Sequence, residues 1–261
     1  MLPTPCYVFS DAHLGFAAEP INRSVRDFLK YLRDVAGSVV INGDLFEFWF
    51  EWKTVIPRTS FRVLAAIADL RDAGIPVVMV AGNHDCWGGE VLTQDVGLDY
   101  RMNGWSGPIG SWNARIEHGD GLRPVEDRGY RAIKPILRSP LAMKGYRLLP
   151  PDLATALAGG SSNASRTYAA RDKGAGLLAA AERILAAEQG VDLLIFGHSH
   201  TPALRRIGEK QVYANGGSWL DVPHFLRIES ERIALRRWNG SAESADLDAF
   251  DRIAKEPLTK L

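Results

Sequence analysis

The chain has 261 residues, 46% of them hydrophobic, enough for one large α/β domain or two small ones with a sizeable core. Its formal net charge is zero, so overall charge gives no argument for nucleic acid, and any such claim needs a local patch. Cys6 and Cys86 belong to no closely spaced pair and read as free thiols; with no secretory leader and no apolar run of membrane-spanning length, the expected location is cytoplasmic.

Pro5 to Phe9 predicts a first strand, ended by Ser10-Asp11-Ala12-His13. Ile21, Val25, Phe28, Leu29, Leu32 and Val35 then recur at helical spacing. The β-branched run 38–42 predicts a second strand, and Gly43-Asp44 falls where it ends. Phe46 follows, then Phe48, Trp49, Phe50 and Trp52, too many aromatics for a solvent loop. They either pack under a neighbouring layer or wall a site for something apolar. Phe61 to Ala73 reads as an amphipathic helix with Gly74 as its C-cap. Ile75 to Ala81 is a third strand running into Gly82-Asn83-His84-Asp85. Three βα units with polar residues at corresponding ends predict a mainly parallel sheet with its site along one edge.

Asn113 to Glu117 predicts a strand leading into His118-Gly119-Asp120. From 121 to 176, prolines separate helical fragments, the pattern of a helical lid insertion. Leu177 to Gln189 reads as a helix and Val191 to Phe196 as a strand, followed by Gly197-His198-Ser199-His200. Short β-like runs with turns such as Gly216-Gly217 fill 203–238. Residues 1–240 thus make a single domain including the insertion, and 241–261 a polar tail. His224, Asn215, Gly216 and Ser218 read as structural, and Trp87, Trp105, Trp112, Trp219 and Trp238 as packing residues. No sequence feature specifies an oligomeric state.

Five of the six histidines (His13, His84, His118, His198 and His200) stand at ends of predicted strands, beside glycine or a carboxylate. Strand ends on one sheet edge converge, so Asp11, His13, Asp44, Asn83, His118, His198 and His200 can share one pocket. Nitrogen and oxygen donors without thiolate suit first-row divalent metals. Seven ligands exceed one ion and suit two that share a carboxylate.

Asp11-x-His13, Gly43-Asp44, Gly82-Asn83-His84-Asp85, His118-Gly119-Asp120 and Gly197-His198-x-His200 resemble, in order and spacing, the five motifs of calcineurin-like metallophosphoesterases. The resemblance implies an α/β fold, a four-layer αββα sandwich of two mixed β-sheets flanked by helices. It implies one ion on Asp11, His13, Asp44 and His200 and a second on Asp44, Asn83, His118 and His198. Manganese is the first expectation, with iron or zinc as alternatives. Water activated by the ions would attack phosphorus in line, His84 would protonate the leaving oxygen or stabilise the transition state, and Asp85 would orient His84.

Within that superfamily the sequence is most similar to the UDP-2,3-diacylglucosamine diphosphatases of lipid A synthesis. Gly43 to Trp49, the Asp127-x-x-Tyr130 pair after His118-Gly119-Asp120, and the helical insertion carry the likeness. It implies cleavage of a lipid-linked nucleotide sugar to UMP and lipid X. Between 121 and 150, Arg123, Arg128, Arg131, Lys134, Arg138, Lys144 and Arg147 are interleaved with Leu, Ile and Tyr. Such a surface suits an anionic amphiphile and peripheral membrane contact. Asp127, Tyr130, Arg131 and Arg166 are then candidate substrate contacts, and Phe46, Trp49 and Trp52 a candidate acyl-chain wall. One departure stands out: several of these diphosphatases have arginine where this chain has His84. A broader phosphodiesterase or phosphatase is therefore the alternative, with a non-catalytic scaffold as the reading from another class. A nucleic-acid partner is disfavoured, because the basic patch is local and interleaved with leucine.

Overall fold

Alternation along the first strand sets the layers. In β1 (Cys6–Phe9), Cys6 and Val8 face one way and Tyr7 and Phe9 the other, and all four are buried. In the computed structural model, which describes residues 1–157 and 172–253, the two faces enter different cores. Tyr7 and Phe9 pack with Val25, Phe28 and Leu32 of α1 (Glu19–Val35) and share that core with Leu64 and Ile67 of α2 (Phe61–Asp72). Cys6 and Val8 join a core with Ile116, Leu193 and Ile195 of a second sheet. A strand buried on both faces must be apolar throughout, which is why these runs are continuous.

The first sheet has the order β12-β11-β10-β1-β2-β3-β4. Here β2 (Ser38–Asn42), β3 (Val77–Val80) and β4 (Asp99–Arg101) continue parallel to β1. On the other side β10 (His224–Ile228), β11 (Arg232–Arg237) and β12 (Asp248–Asp251) are antiparallel. The second sheet is β5-β6-β7-β9-β8. Its centre, β6 (Trp112–Ile116), β7 (Leu193–Phe196) and β9 (Gln211–Asn215), is parallel. Antiparallel β5 (Trp105–Ile109) and β8 (Ala203–Ile207) form its edges. The outer face packs through Leu194, Phe196 and Tyr213 on Leu177, Ala181 and Leu185 of the helix Ala175–Ala187, designated α5 below. Helices, sheet, sheet, helix is the sandwich that the motifs imply; the parallel reading holds for β1 to β4 and for β6, β7 and β9, while β10 to β12, β5 and β8 pair antiparallel.

The insertion carries α3 (Arg128–Leu137), with Pro135 inside it, and α4 (Pro140–Tyr146), with Pro140 opening it; residues 151–157 are also helical. It is fastened to the body by the aromatic run. Trp87 Nε1 donates to Leu137 O at 2.5 Å and Trp52 Nε1 to Leu149 O at 3.2 Å. Phe50, Trp52 and Ala154 form a satellite core with Phe48, Trp87, Tyr146 and Leu149 around it. Phe46 and Trp49 lie deeper, wholly buried in the α1/α2 core and stacked at 4.9 Å. Phe46, Trp49 and Trp52 are thus packing residues, and the acyl-wall reading is corrected: no face of Phe46 or Trp49 meets solvent.

The segment expected to be a polar tail from 241 also joins the body. Asp248–Asp251 is β12, and the Glu243 carboxylate accepts from Tyr7 Oη (2.7 Å), Tyr31 Oη (2.6 Å) and Arg236 Nη1 (2.6 Å). Cys6 and Cys86 are buried free thiols. Among the described residues no helix is long and apolar enough to cross a membrane.

Candidate active site

Five loops meet at one edge of the sandwich. Asp11 and His13 follow β1, Asp44 follows β2, Asn83 and His84 follow β3, His118 follows β6, and His198 and His200 follow β7. Asp11, His13, Asp44, His198 and His200 all have positive φ, between 47° and 62°, which turns each side chain off its strand end into the shared edge. Two glycines permit the close approach. A Cβ on Gly43 would stand 2.3 Å from His118 Nδ1, and one on Gly82 2.1 Å from Asp44 Oδ1.

The donors fall into groups with Asp44 at the junction. Asp11, His13 and His200 form one group and Asp44, His118 and His198 another, with ligand atoms within 4.8 Å of one another; a third set, His13, Asp44 and His84, links them. His200 Nε2 is 3.3 Å from both Asp11 Oδ1 and His13 Nε2, and His118 Nε2 is 3.2 Å from Asp44 Oδ2. His118 donates Nδ1–H to Asn42 O at 2.8 Å, which leaves Nε2 bare in the neutral ring, and Nε2 makes no hydrogen bond. A bare nitrogen facing a buried carboxylate calls for positive charge between them, either a proton or a cation. The charge balance agrees. Burial alone would lower His118, but the Asp44 carboxylate raises it well above the ordinary histidine value. Burial would raise Asp44, but His118 and His84 hold it well below the usual carboxylate range. Asp11 and His200 show the same opposition: burial against their mutual pairing lowers the acid and raises the imidazole. Asn83 Oδ1 is buried and makes no hydrogen bond among the described residues. Hard and borderline donors, bare and inward-facing, fit divalent ions.

The surrounding residues revise several expectations. Asp85 does not orient His84. Its carboxylate accepts the N–H groups of Leu45 and Gly82 at 2.8 Å and of Asp44 at 3.2 Å, and so clamps the Asp44 loop. Burial and the nearby Asp44 charge push it up to about 6. His84 instead donates Nδ1–H to Glu47 O at 2.9 Å. Asp127 is buried and touches His198 rather than solvent: its Oδ1 lies 3.0 Å from His198 Nε2 and accepts from Arg123 Nη2 at 2.7 Å. Burial opposes its ionisation, but His198 and Arg123 together hold its pKa far below the usual range. Arg123, 1% exposed, also reaches Asp172 at 3.3 Å. Asp172 in turn accepts the N–H groups of Gly174 and Gly176 at the start of α5. The Tyr130 hydroxyl is buried beside Asp120, and burial and that carboxylate raise its pKa well above the ordinary value. Asp120 also pairs with Lys134 at 2.7 Å and Arg138 at 3.2 Å. As candidate substrate contacts, Asp127 and Tyr130 are therefore corrected to internal supports. Arg131 is exposed and available, and Arg166 lies outside the described residues.

Sequence reasoning passed over Glu47 and Arg123. Glu47 was hidden by the aromatics around it, although it stands three residues after Asp44. Arg123 was counted as surface charge, although its i+4 partner Asp127 signalled a pair. His224 opens β10 and belongs to none of the three donor groups.

The chain belongs to the calcineurin-like phosphoesterase family, whose model matches residues 4–202, and is a metal-dependent hydrolase. That family implies divalent ions, and the groups around Asp44 are candidate ligands. Its sequence relatives narrow the comparison. A UDP-2,3-diacylglucosamine hydrolase from Porphyromonas gingivalis (strain ATCC BAA-308 / W83) is 30% identical over 250 residues, covering 88% of this chain and 95% of the relative. One of the same name from Xanthomonas oryzae pv. oryzae (strain PXO99A) is 27% identical over 242 residues, covering 88% and 97%. Among solved structures, Vacuolar Protein Sorting 29 from Cryptosporidium parvum aligns with a TM-score of 0.51 over 95% of this chain and 97% of that chain; at 12% identity this is a likeness of fold.

Proposed function

We propose that this chain hydrolyses the pyrophosphate of a UDP-linked acylated sugar. One divalent ion would sit on Asp11, His13, Asp44 and His200 and a second on Asp44, Asn83, His118 and His198, with manganese the first ion to supply. The observation that carries the reading is the pair of ligand groups meeting at Asp44. The substrate class is supported by the name shared by relatives that align over 88% of the chain.

Bound ions of this kind polarise phosphoryl oxygens and bring the pKa of water toward neutrality. The side chains supply position. Asn42 O holds the His118 ring by Nδ1, so its Nε2 faces Asp44. The His84 backbone N–H donates to Asp44 Oδ1 at 2.9 Å, and this imidazole, when protonated on both nitrogens, would give its Nε2 hydrogen to the leaving sugar-phosphate oxygen. Exposed Val125, Ile136, Leu141 and Leu148 on the insertion are interspersed with exposed Arg128, Arg131, Lys144 and Arg147. This supports docking on an anionic lipid surface at a cytoplasmic membrane face, with Arg131 nearest in kind to a phosphate contact.

Phosphorus NMR of products from UDP-2,3-diacylglucosamine with added manganese tests the reading. UMP and a lipid-linked sugar phosphate are expected from the wild type and neither from Asp44→Ala. His84, in the place of an arginine, favours a broader phosphodiesterase as the second reading. Turnover of bis-para-nitrophenyl phosphate without UMP formation would select it.

A further inference from the structure

We propose that Glu47 is the positioning residue for both working imidazoles of this site, holding His13 by its carboxylate and His84 by its backbone carbonyl. The inference rests on the metal-dependent reading above and assigns a role to a residue that no part of that reading uses.

Glu47 is placed by its backbone before its side chain acts. Its N–H donates to Leu14 O at 3.0 Å, Leu14 and Phe46 form a bridge, and Asp85 holds the preceding Leu45 N–H. Trp49 N–H then donates to His84 O at 3.3 Å. The loop after β2 is thereby stitched to the His13 loop on one side and to the His84 loop on the other. From this fixed point Glu47 Oε2 lies 2.9 Å from His13 Nδ1, and Glu47 O accepts from His84 Nδ1 at 2.9 Å. The two rings meet edge to face at 4.9 Å.

Both acceptors lack a hydrogen to give, and that decides the chemistry. His13 must carry its hydrogen on Nδ1, so its Nε2 lone pair faces His200 Nε2 at 3.3 Å and Asp44 Oδ2 at 3.9 Å. His84 likewise carries hydrogen on Nδ1, which keeps Nε2 for the substrate. A carboxylate behind a ligating imidazole fixes its tautomer and raises its basicity, and loss of such a partner weakens metal binding about 10- to 100-fold. Glu47 Oε1 also stands 4.0 Å from His84 Nδ1, but the hydrogen bonds themselves divide between side chain and backbone. A side-chain substitution releases His13 and leaves the His84 hydrogen bond intact.

The test compares Glu47→Ala and Glu47→Gln with wild type, using nitrogen-15 NMR of the histidine rings in metal-free protein and calorimetric titration with manganese. Glutamine retains an acceptor for His13 Nδ1–H without the charge. Expected for Glu47→Ala are a shift of His13 away from the Nδ1–H tautomer, an unchanged His84 tautomer, and manganese affinity lower by about 10- to 100-fold, with Glu47→Gln recovering the tautomer and most of the affinity. An unchanged His13 tautomer in Glu47→Ala would overturn the proposal. So would equal losses in both variants with both histidines altered, the mark of a collapsed loop. The metal-free spectra decide Glu47 even if wild type binds no manganese, a result that would sink the two-metal reading instead.

Discussion

Arg123→Met removes the cation that joins both roots of the insertion to the His198 loop. Its guanidinium pairs with Asp127 at 2.7 and 3.0 Å and with Asp172 at 3.3 Å, and stands 3.1 Å from His198 Nε2. Asp127 and Asp172 are 3% and 10% exposed. Breaking one side of a buried pair costs roughly 3–5 kcal/mol. Backbone N–H groups still solvate both acids, since Asp127 retains Gly121 N–H and Asp172 retains Gly174 and Gly176, so the low end, about 3 kcal/mol, is expected. At about 2–4 °C per kcal/mol this is a fall in Tm of roughly 6–12 °C. Urea denaturation of metal-free protein measures it without interference from bound ions. The folded pKa of Asp127 is depressed, so its contribution is present above the unfolded value of about 3.9 and is lost as pH falls toward the folded value. The penalty of Arg123→Met therefore shrinks as pH falls below about 4, where the carboxylate protonates and the pair contributes less. In an Asp127→Asn background the same substitution should cost at least about 1 kcal/mol less. A loss below about 1 kcal/mol, or one equal in both backgrounds, would refute a buried pair.

Two further outcomes follow from burial alone. Trp49→Ala should destabilise by about 3–5 kcal/mol and lower turnover of a lipid-linked substrate and of a small phosphodiester by the same factor; a selective loss on the lipid substrate would restore the acyl wall. Burial pushes the Cys6 and Cys86 thiols up to about 12, so native protein at pH 8 should release no thionitrobenzoate from Ellman's reagent within minutes and two equivalents in urea. Fast labelling of native protein would show that one thiol is reachable.

The legible parts of the sequence were those where one physical demand left one pattern. Val39 to Ile41 and Leu193 to Phe196 are buried on both faces, so they had to be apolar and read as strands. The candidate ligands stood directly after such runs, and strand ends converge. Other elements owe their conformation to a neighbour. Asp99–Arg101 and Asp248–Asp251 are exposed or half-exposed edge strands whose ladders come from β3 and β11, and no alternation announces them. The aromatics from Phe46 to Trp52 divide between two cores, and a run serving two layers has no period. Asp127 and Arg123 lay inside a basic segment, where composition signals a wet surface; only the fold shows that His198 makes their burial useful.

The left-handed backbone at the site has a consequence for engineering. Among the described residues, six non-glycine positions have positive φ, and five are Asp11, His13, Asp44, His198 and His200. Such a conformation costs an L-residue roughly 1–2 kcal/mol, which glycine would not incur. A search for a more stable scaffold would be drawn to glycine at these five places, and each gain would delete a donor from the candidate metal centre. Stability and function are opposed here residue by residue, so any programme to harden this fold should begin at β12 and the helices and leave the strand ends alone.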